Sequence, residues 1–75
     1  MPPLPRITAT DLLRALSRAG WTVARQSGSH VVLRHTARPG RIVAPHHRGA
    51  ILKLKTLESI LDEAGLSADE LRSLL

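Results

Sequence analysis

The alternation of apolar and polar positions predicts a helix near the start of the chain. Apolar side chains recur there every three or four residues, and the positions between them are polar or charged. The apolar members of this repeat are Leu12, Leu13, Leu16 and Ala19. Thr8 is a suitable N-cap, Asp11 stands three residues after it, and Gly20 is typical of the position just beyond a helix end. A first helix is therefore expected over roughly residues 8 to 19.

Three short strands are expected next, because three segments are rich in β-forming residues and are separated by turn residues. The segments are 21–25, 30–35 and 41–44, with turns at 27–29 and 37–40. Both turns are short enough for antiparallel hairpins, and the second contains a Pro-Gly pair. The pattern predicts a three-stranded antiparallel meander.

A second helix and a short terminal helix are expected in the last third of the chain. Thr56 is a suitable N-cap for the second helix, and Gly65 is suited to end it. Its apolar face would consist of Leu57, Ile60, Leu61 and Ala64. Ser67 with Glu70 forms a capping-box pattern, which predicts a last helix over residues 68–74.

The predicted order is helix, three strands, helix and short terminal helix, which is an α+β fold. Seventy-five residues suffice for one small domain, and we assign residues 7–75 to it and residues 1–6 to an extended, proline-rich lead-in. Both main helices would cover one face of the sheet and leave the other to solvent. The same order occurs in double-stranded-RNA-binding domains, although a shared fold does not by itself establish a function.

The charge distribution points to a polyanionic partner. The formal net charge is +5, and no acidic residue occurs between Asp11 and Glu58. Nine cations occupy this interval: Arg14, Arg18, Arg25, Arg34, Arg38, Arg41, Arg48, Lys53 and Lys55. A field of one sign favours a polyanion and makes binding salt-dependent. A solubilising basic surface and an acidic protein partner would also account for this distribution.

Composition argues against several other classes of protein. Cysteine is absent, so neither a disulfide nor a thiolate metal site is expected, and no apolar run is long enough for a membrane span or a signal peptide. His46 and His47 are adjacent in a loop, which is a poor spacing for joint zinc binding. We expect a cytoplasmic protein without a metal or other cofactor.

His30 is the main candidate for chemistry. It begins the second predicted strand, and strand alternation places it with Arg34 on the solvent face if Val31 and Leu33 enter the core. Imidazole changes charge near neutral pH, so His30 could remove the proton of a 2′-hydroxyl during RNA cleavage, with cations stabilising the phosphorane. Two structural interpretations stay open, in which His30 caps a hairpin or lies in the core.

The other unusual side chains have plainer interpretations. Trp21 is the only aromatic residue of the Phe, Trp and Tyr class, so a base-stacking platform is disfavoured and a core position is expected. His46 and His47 are expected to be polar surface or phosphate contacts. His35, at a strand end, is expected on the surface.

Several motifs together resemble the HicA toxins, which are mRNA interferases of bacterial and archaeal HicA–HicB toxin–antitoxin pairs. The motifs are Gly20-Trp21, Arg25-Gln26-Ser27-Gly28-Ser29-His30, Val43-Ala44-Pro45-His46-His47, Thr56-Leu57-Glu58-Ser59-Ile60-Leu61 and Ala64-Gly65-Leu66-Ser67. Each is weak alone, but their order and spacing are maintained from Ile7 onward. The resemblance covers nearly the whole chain.

The resemblance implies a double-stranded-RNA-binding-domain-like fold and ribosome-independent cleavage of mRNA. It implies that the histidine of Gly28-Ser29-His30 is catalytic and that a HicB antitoxin covers the active face. We expect a monomer when the toxin is free and a hetero-oligomer with the antitoxin. The residues expected to contact RNA are Arg25, Ser29, Arg34, His47, Arg48, Lys53 and Lys55.

The chain departs from the family pattern at one position. Lys55-Thr56-Leu57 stands where the family usually has Gly-Thr-Leu, which affects the turn before the second helix and adds a cation near a helix N-terminus. Two other functions remain open at this stage. One is a non-catalytic RNA-binding module of the same fold, and the other is an adaptor whose basic face binds an acidic protein.

Overall fold

The computed structural model describes residues 4–75 and has the predicted α+β architecture. The elements in chain order are α1 (Ala9–Arg18), β1 (Trp21–Ser27), β2 (His30–His35), β3 (Ile42–Pro45), α2 (Leu54–Ala64) and α3 (Ala68–Leu74). The strands form one antiparallel sheet in the order β1-β2-β3. This confirms the predicted fold class, including the short C-terminal helix. Of the lead-in assigned to residues 1–6, residues 1–3 lie outside the described part, and Leu4 packs against the core.

The core lies between one face of the sheet and the helices. Leu12, Leu16, Leu33, Ile42 and Leu57 are each 1% exposed or less. Trp21 is also buried, which confirms its predicted role as a core residue. Within residues 4–75 the core contains no polar or charged side chain, so every candidate functional group lies at the surface.

The N-terminal starts of α1 and α3 are determined by local sequence. The Thr8 hydroxyl accepts from the Asp11 N–H, and the Asp11 carboxylate accepts from the Thr8 N–H. Ser67 and Glu70 make the equivalent pair of hydrogen bonds at α3. Both capping boxes were predicted from sequence, because they need only residues three apart in the chain.

The predicted start of α2 is wrong. The helix begins at Leu54, with Lys53 rather than Thr56 at the N-cap, and no side chain caps it. Long-range pairing sets this boundary: Thr8 bridges to Ile51, and the Leu52 N–H donates to the Ile7 carbonyl at 2.8 Å. Backbone pairing therefore holds the chain beside the start of α1 immediately before α2 begins.

The expectation that His35 is plain surface is also wrong. Its Nδ1 accepts from the Ala37 N–H at 2.9 Å, so we assign the ring proton to Nε2, which donates to the Ala19 carbonyl at 3.0 Å. The ring also packs edge-on against Trp21, with centroids 5.2 Å apart. His35 therefore joins the end of α1 to the end of β2.

The β1–β2 hairpin places the predicted catalytic residue. Ser27 and His30 are its closing pair, with Gly28 and Ser29 between them, and Gly28 has a φ of 58°. A glycine with positive φ at the first loop position is typical of a type II′ hairpin turn. A β-bulge between Val23 and Arg25 interrupts the register of β1, a feature that the sequence pattern does not predict.

Candidate functional site

His30 lies on the solvent face of the sheet. The burial pattern of β2 alternates as predicted, with Val31 and Leu33 buried while His30 and Arg34 are exposed. This excludes a core position for His30. His30 is flanked on the same face by Ser27 of β1 and by Pro45 of β3, its two cross-strand partners.

The contact with β3 is close. The Ser29 carbonyl accepts from the His46 N–H at 2.6 Å, the bond expected beside a non-hydrogen-bonded pair of residues, here His30 and Pro45. Side chains approach each other most closely in pairs of this type. The Pro45 ring therefore provides a rigid, apolar neighbour for the His30 imidazole.

Helix α1 also reaches this end of the sheet through His46. The His46 Nε2 lies 3.3 Å from the Thr10 hydroxyl, in the first turn of α1. The backbone of His46 binds Ser29 and its side chain binds Thr10, so this one residue connects the hairpin, β3 and α1. Sequence reasoning missed Ser27, Thr10 and the connecting role of His46. The strand register shows that Ser27 is opposite His30, and the packing of α1 brings Thr10 to His46.

The predicted RNA-contacting residues fall into two groups. Arg25 and Arg34 share the solvent face of the sheet with His30: Arg25 is opposite Val32, and Arg34 is opposite Thr22. Arg25 is thus a diagonal neighbour of His30. Ser29, in the hairpin turn, is half-buried and fixed through its carbonyl.

The second group surrounds the start of α2. His47 and Lys53 line a groove of about 340 Å³ together with Ala9, Pro45, Ala50, Ile51, Leu52 and Thr56. Arg48 lies in the turn beside it, and Lys55 in the first turn of α2. Pro45 therefore contributes to this groove and also neighbours His30, so the two groups adjoin at the end of β3.

Five of the predicted contact residues have free cationic groups. Among residues 4–75, no hydrogen bond or ion pair engages the side chains of Arg25, Arg34, Arg48, Lys53 and Lys55. All five are exposed. Their charge is not neutralised within the described chain, so it is available to a polyanion.

Other arginines of the acid-free interval have structural partners. Arg14 pairs with Asp11 at 3.9 Å, and Arg18 donates to the Leu74 and Leu75 carbonyls at 2.6 and 3.0 Å. The Arg38 guanidinium lies over Gly65 at the end of α2. Cations at the C-termini of helices complement the helix dipole. The nine cations of the interval therefore do not form a single surface.

The arrangement can support proton transfer and phosphate binding at a solvent-exposed surface. No group of three metal-binding His, Asp or Glu side chains occurs in the part of the chain that the structure describes. Nor is any helix there long and apolar enough to cross a membrane. The site consists of an imidazole, hydroxyl groups and guanidinium and ammonium groups.

A family model described as "HicA toxin of bacterial toxin-antitoxin" matches residues 9–66. The match extends over most of the 75-residue chain, from the start of α1 to just beyond α2, and the chain belongs to the HicA toxin family. The comparison with curated proteins found no match.

Proposed function

We propose that this toxin is a metal-independent endoribonuclease that cleaves mRNA without the ribosome, with His30 as the proton-transfer residue. The observation that carries the proposal is the position of His30 on an open sheet face, between Ser27 and Pro45 and diagonal to the unpaired Arg25. Family membership supports the toxin role, and the geometry supports this chemistry.

The proposed reaction uses the nucleophile that RNA itself carries. His30 accepts the proton of a 2′-hydroxyl, the oxygen attacks the adjacent phosphorus, and the bond from phosphorus to the 5′-oxygen breaks. The 5′-oxygen takes up a proton, and the products are a 2′,3′-cyclic phosphate and a 5′-hydroxyl. Proton transfer by a positioned group contributes about 10² to 10⁴ in rate.

The cations would hold the RNA and stabilise the charge of the transition state. Arg25 is the cation that the register places nearest to His30, so we assign it to the reacting phosphate. A single well-placed donor of this kind contributes about 10² to 10³ in rate. Arg34 would bind a neighbouring phosphate, and His47, Arg48, Lys53 and Lys55 would hold the strand where it passes the start of α2.

An acidic HicB-like antitoxin is the proposed protein partner, and it would cover the solvent face of the sheet. Val32 and Val43 face each other across β2 and β3 on this face, and Val43 is 41% exposed. An aliphatic pair near unpaired arginines suits a protein surface with an apolar centre and an acidic rim. Such a partner would compete with RNA for Arg25 and Arg34. Because mRNA is the substrate, we assign the activity to the cytoplasm.

The deciding experiment is incubation of purified toxin with RNA in the presence of EDTA, followed by analysis of the product ends. We expect cleavage with 2′,3′-cyclic phosphate or its hydrolysis product, and loss of cleavage in His30→Ala. His47→Ala is the matched control, since it removes an imidazole from the groove and should weaken binding without abolishing cleavage.

Two results would contradict the proposal. Cleavage that returns only with added divalent ions would overturn the metal-independent chemistry. RNA that stays intact while binding tightly to the wild-type protein would favour the non-catalytic RNA-binding module.

A further inference from the structure

The groove at the start of α2 begins at Pro45, the residue that lies opposite His30 in the sheet. Its volume of about 340 Å³ is at the lower end of the roughly 300–1,000 Å³ that small-molecule sites have. Most of its lining is apolar. Ala9 and Leu52 are buried and form its floor, while Ile51 is 48% exposed and stands at its rim. The groove and the proposed catalytic site therefore share Pro45 as a wall.

Three polar side chains line the same groove: His47, Lys53 and Thr56. The Thr56 side chain is half-buried, and its hydroxyl makes no hydrogen bond with any residue of the range 4–75. The Lys53 ammonium is exposed and unpaired in the same range. Apolar walls with a few polar groups suit a flat ligand that has hydrogen-bonding edges. A nucleobase of the RNA bound at His30 has this chemistry.

The chain has no exposed Phe, Trp or Tyr side chain on which an unpaired base would stack. Trp21 is its only residue of this class, and it is 2% exposed. Proteins that bind single-stranded RNA normally stack its bases on such side chains. Within residues 4–75, the apolar groove beside His30 is therefore the place where an unpaired base leaves water.

The position of the groove selects one base of the substrate. In the proposed reaction His30 accepts the proton of a 2′-hydroxyl, and the ribose that carries this hydroxyl bears its base on the adjacent ring carbon. The base on the 5′ side of the broken bond is therefore the base nearest to His30. Pro45 separates His30 from the groove by the width of one side chain, so this base reaches the groove across the Pro45 ring.

We propose that the groove binds the base on the 5′ side of the cleaved bond and that Lys53 makes guanine the preferred base. Guanine presents two acceptors, O6 and N7, on one edge, and a lysine ammonium can donate to both. Adenine and cytosine present an amino group to the ammonium instead, and uracil is smaller and covers less of the apolar wall. The Thr56 hydroxyl donates and accepts, so it does not discriminate between bases.

This inference rests on the proposed function and adds a sequence preference to it. It also restricts the substrate, because a base in the groove is not available to pair with a second strand. Cleavage therefore requires RNA that is unpaired at this nucleotide, although the order of helices and strands is that of double-stranded-RNA-binding domains.

Short single-stranded RNAs that differ at one base test the proposal in two assays. The wild-type toxin should cleave after guanosine about 5- to 30-fold faster than after the other nucleosides, the size of one discriminating base contact. His30→Ala protein, which leaves the RNA intact, should bind these RNAs in the same order of affinity. Substitution of 7-deazaguanine, which lacks the N7 acceptor, should remove most of the preference, and a complementary strand should protect the site.

Two lysine variants separate a base contact from a phosphate contact. Lys53→Met removes the ammonium but keeps an aliphatic stem, so the preference for guanine should fall to within about 2-fold. Lys55→Met is the matched control. It removes the same charge from a side chain that does not line the groove, so it should weaken binding to all the RNAs alike and keep the preference. Ala50→Phe fills the groove from an exposed position and should also abolish the preference.

The results distinguish this inference from the proposed function. RNA that stays intact with the wild-type protein would contradict the proposed nuclease activity, and the binding assay would then decide the role of the groove by itself. Equal affinity for all four bases would overturn the inference and leave the nuclease activity standing. So would a guanine preference that survives Lys53→Met, because Lys53 would then contact only phosphate.

Discussion

The His35 imidazole fills the space beside Gly20 that a side chain would need. A Cβ atom on Gly20 would lie 2.6 Å from the His35 Nε2, and Gly20 has a φ of 99°, in the left-handed region. The same Nε2 donates to the carbonyl of Ala19. The end of α1 and the end of β2 can therefore approach each other only because residue 20 is a glycine.

Gly20→Ala should destabilise the fold by about 2 to 4 kcal/mol, the sum of strained backbone and a displaced His35. Gly28→Ala is the matched control: its φ is also positive, but a Cβ atom there would meet nothing within 4 Å. It should cost only about 1 to 2 kcal/mol. Urea unfolding of both variants checks the difference, and equal losses would show that the contact with His35 is unimportant.

His35→Ala should lower the free energy of unfolding by about 1 to 3 kcal/mol, because it leaves the Ala19 carbonyl and the Ala37 N–H without their partner and removes the ring from Trp21. His47→Ala should stay within about 0.5 kcal/mol of wild type, since His47 is exposed. Thermal unfolding monitored by circular dichroism distinguishes them. An unchanged melting temperature for His35→Ala would show that His35 contributes nothing to stability, as expected of a plain surface residue.

Thr10→Val should reduce RNA cleavage by roughly 2- to 10-fold, the equivalent of one hydrogen bond, with little change in stability. The hydroxyl is the partner of His46, whose backbone is bound to Ser29 next to His30. Single-turnover cleavage rates provide the measurement. Thr22→Val is the control, because its hydroxyl contacts only the Arg34 carbonyl at the far end of β2. If both substitutions have the same effect, the Thr10–His46 contact does not position the site.

RNA affinity should fall steeply with salt, and each phosphate contact removed should lower the slope of the log–log plot by about 0.7 to 0.9. Titrations with His30→Ala protein keep the RNA intact during the measurement. Arg25→Ala and Lys55→Ala should each reduce the slope. Arg72→Ala should not, because Arg72 is engaged with Asp69 on α3. Equal slopes for Lys55→Ala and Arg72→Ala would mean that net charge alone governs binding.

The sequence was sufficient wherever a feature depends on neighbours in the chain. The capping boxes at Thr8 and Ser67 and the outward direction of His30 follow from spacings of two or three residues, and the structure confirms all three. The start of α2 was missed because the backbone pairing of Ile7 with Leu52 determines it, across more than forty residues.

The candidate site was predictable in its residue types but less so in its arrangement. His30, Arg25 and Arg34 share the solvent face as expected. Nothing in the sequence indicates that the Arg18 side chain reaches the Leu74 and Leu75 carbonyls, or that the Arg38 guanidinium lies over Gly65. Whether an arginine lies near a helix C-terminus or on the solvent face with His30 depends on how the helices and loops pack together.

The bulge in β1 also affects how the protein behaves at high concentration. β1 is an edge strand of the sheet, and it pairs with β2 along one side. The backbone N–H and C=O groups along its other side face outward and form a template for another strand. The irregularity between Val23 and Arg25 breaks that row near its middle, and Arg25 adds a charge beside the break. Removing Ala24 to restore a regular strand would therefore be expected to create an edge prone to aggregation.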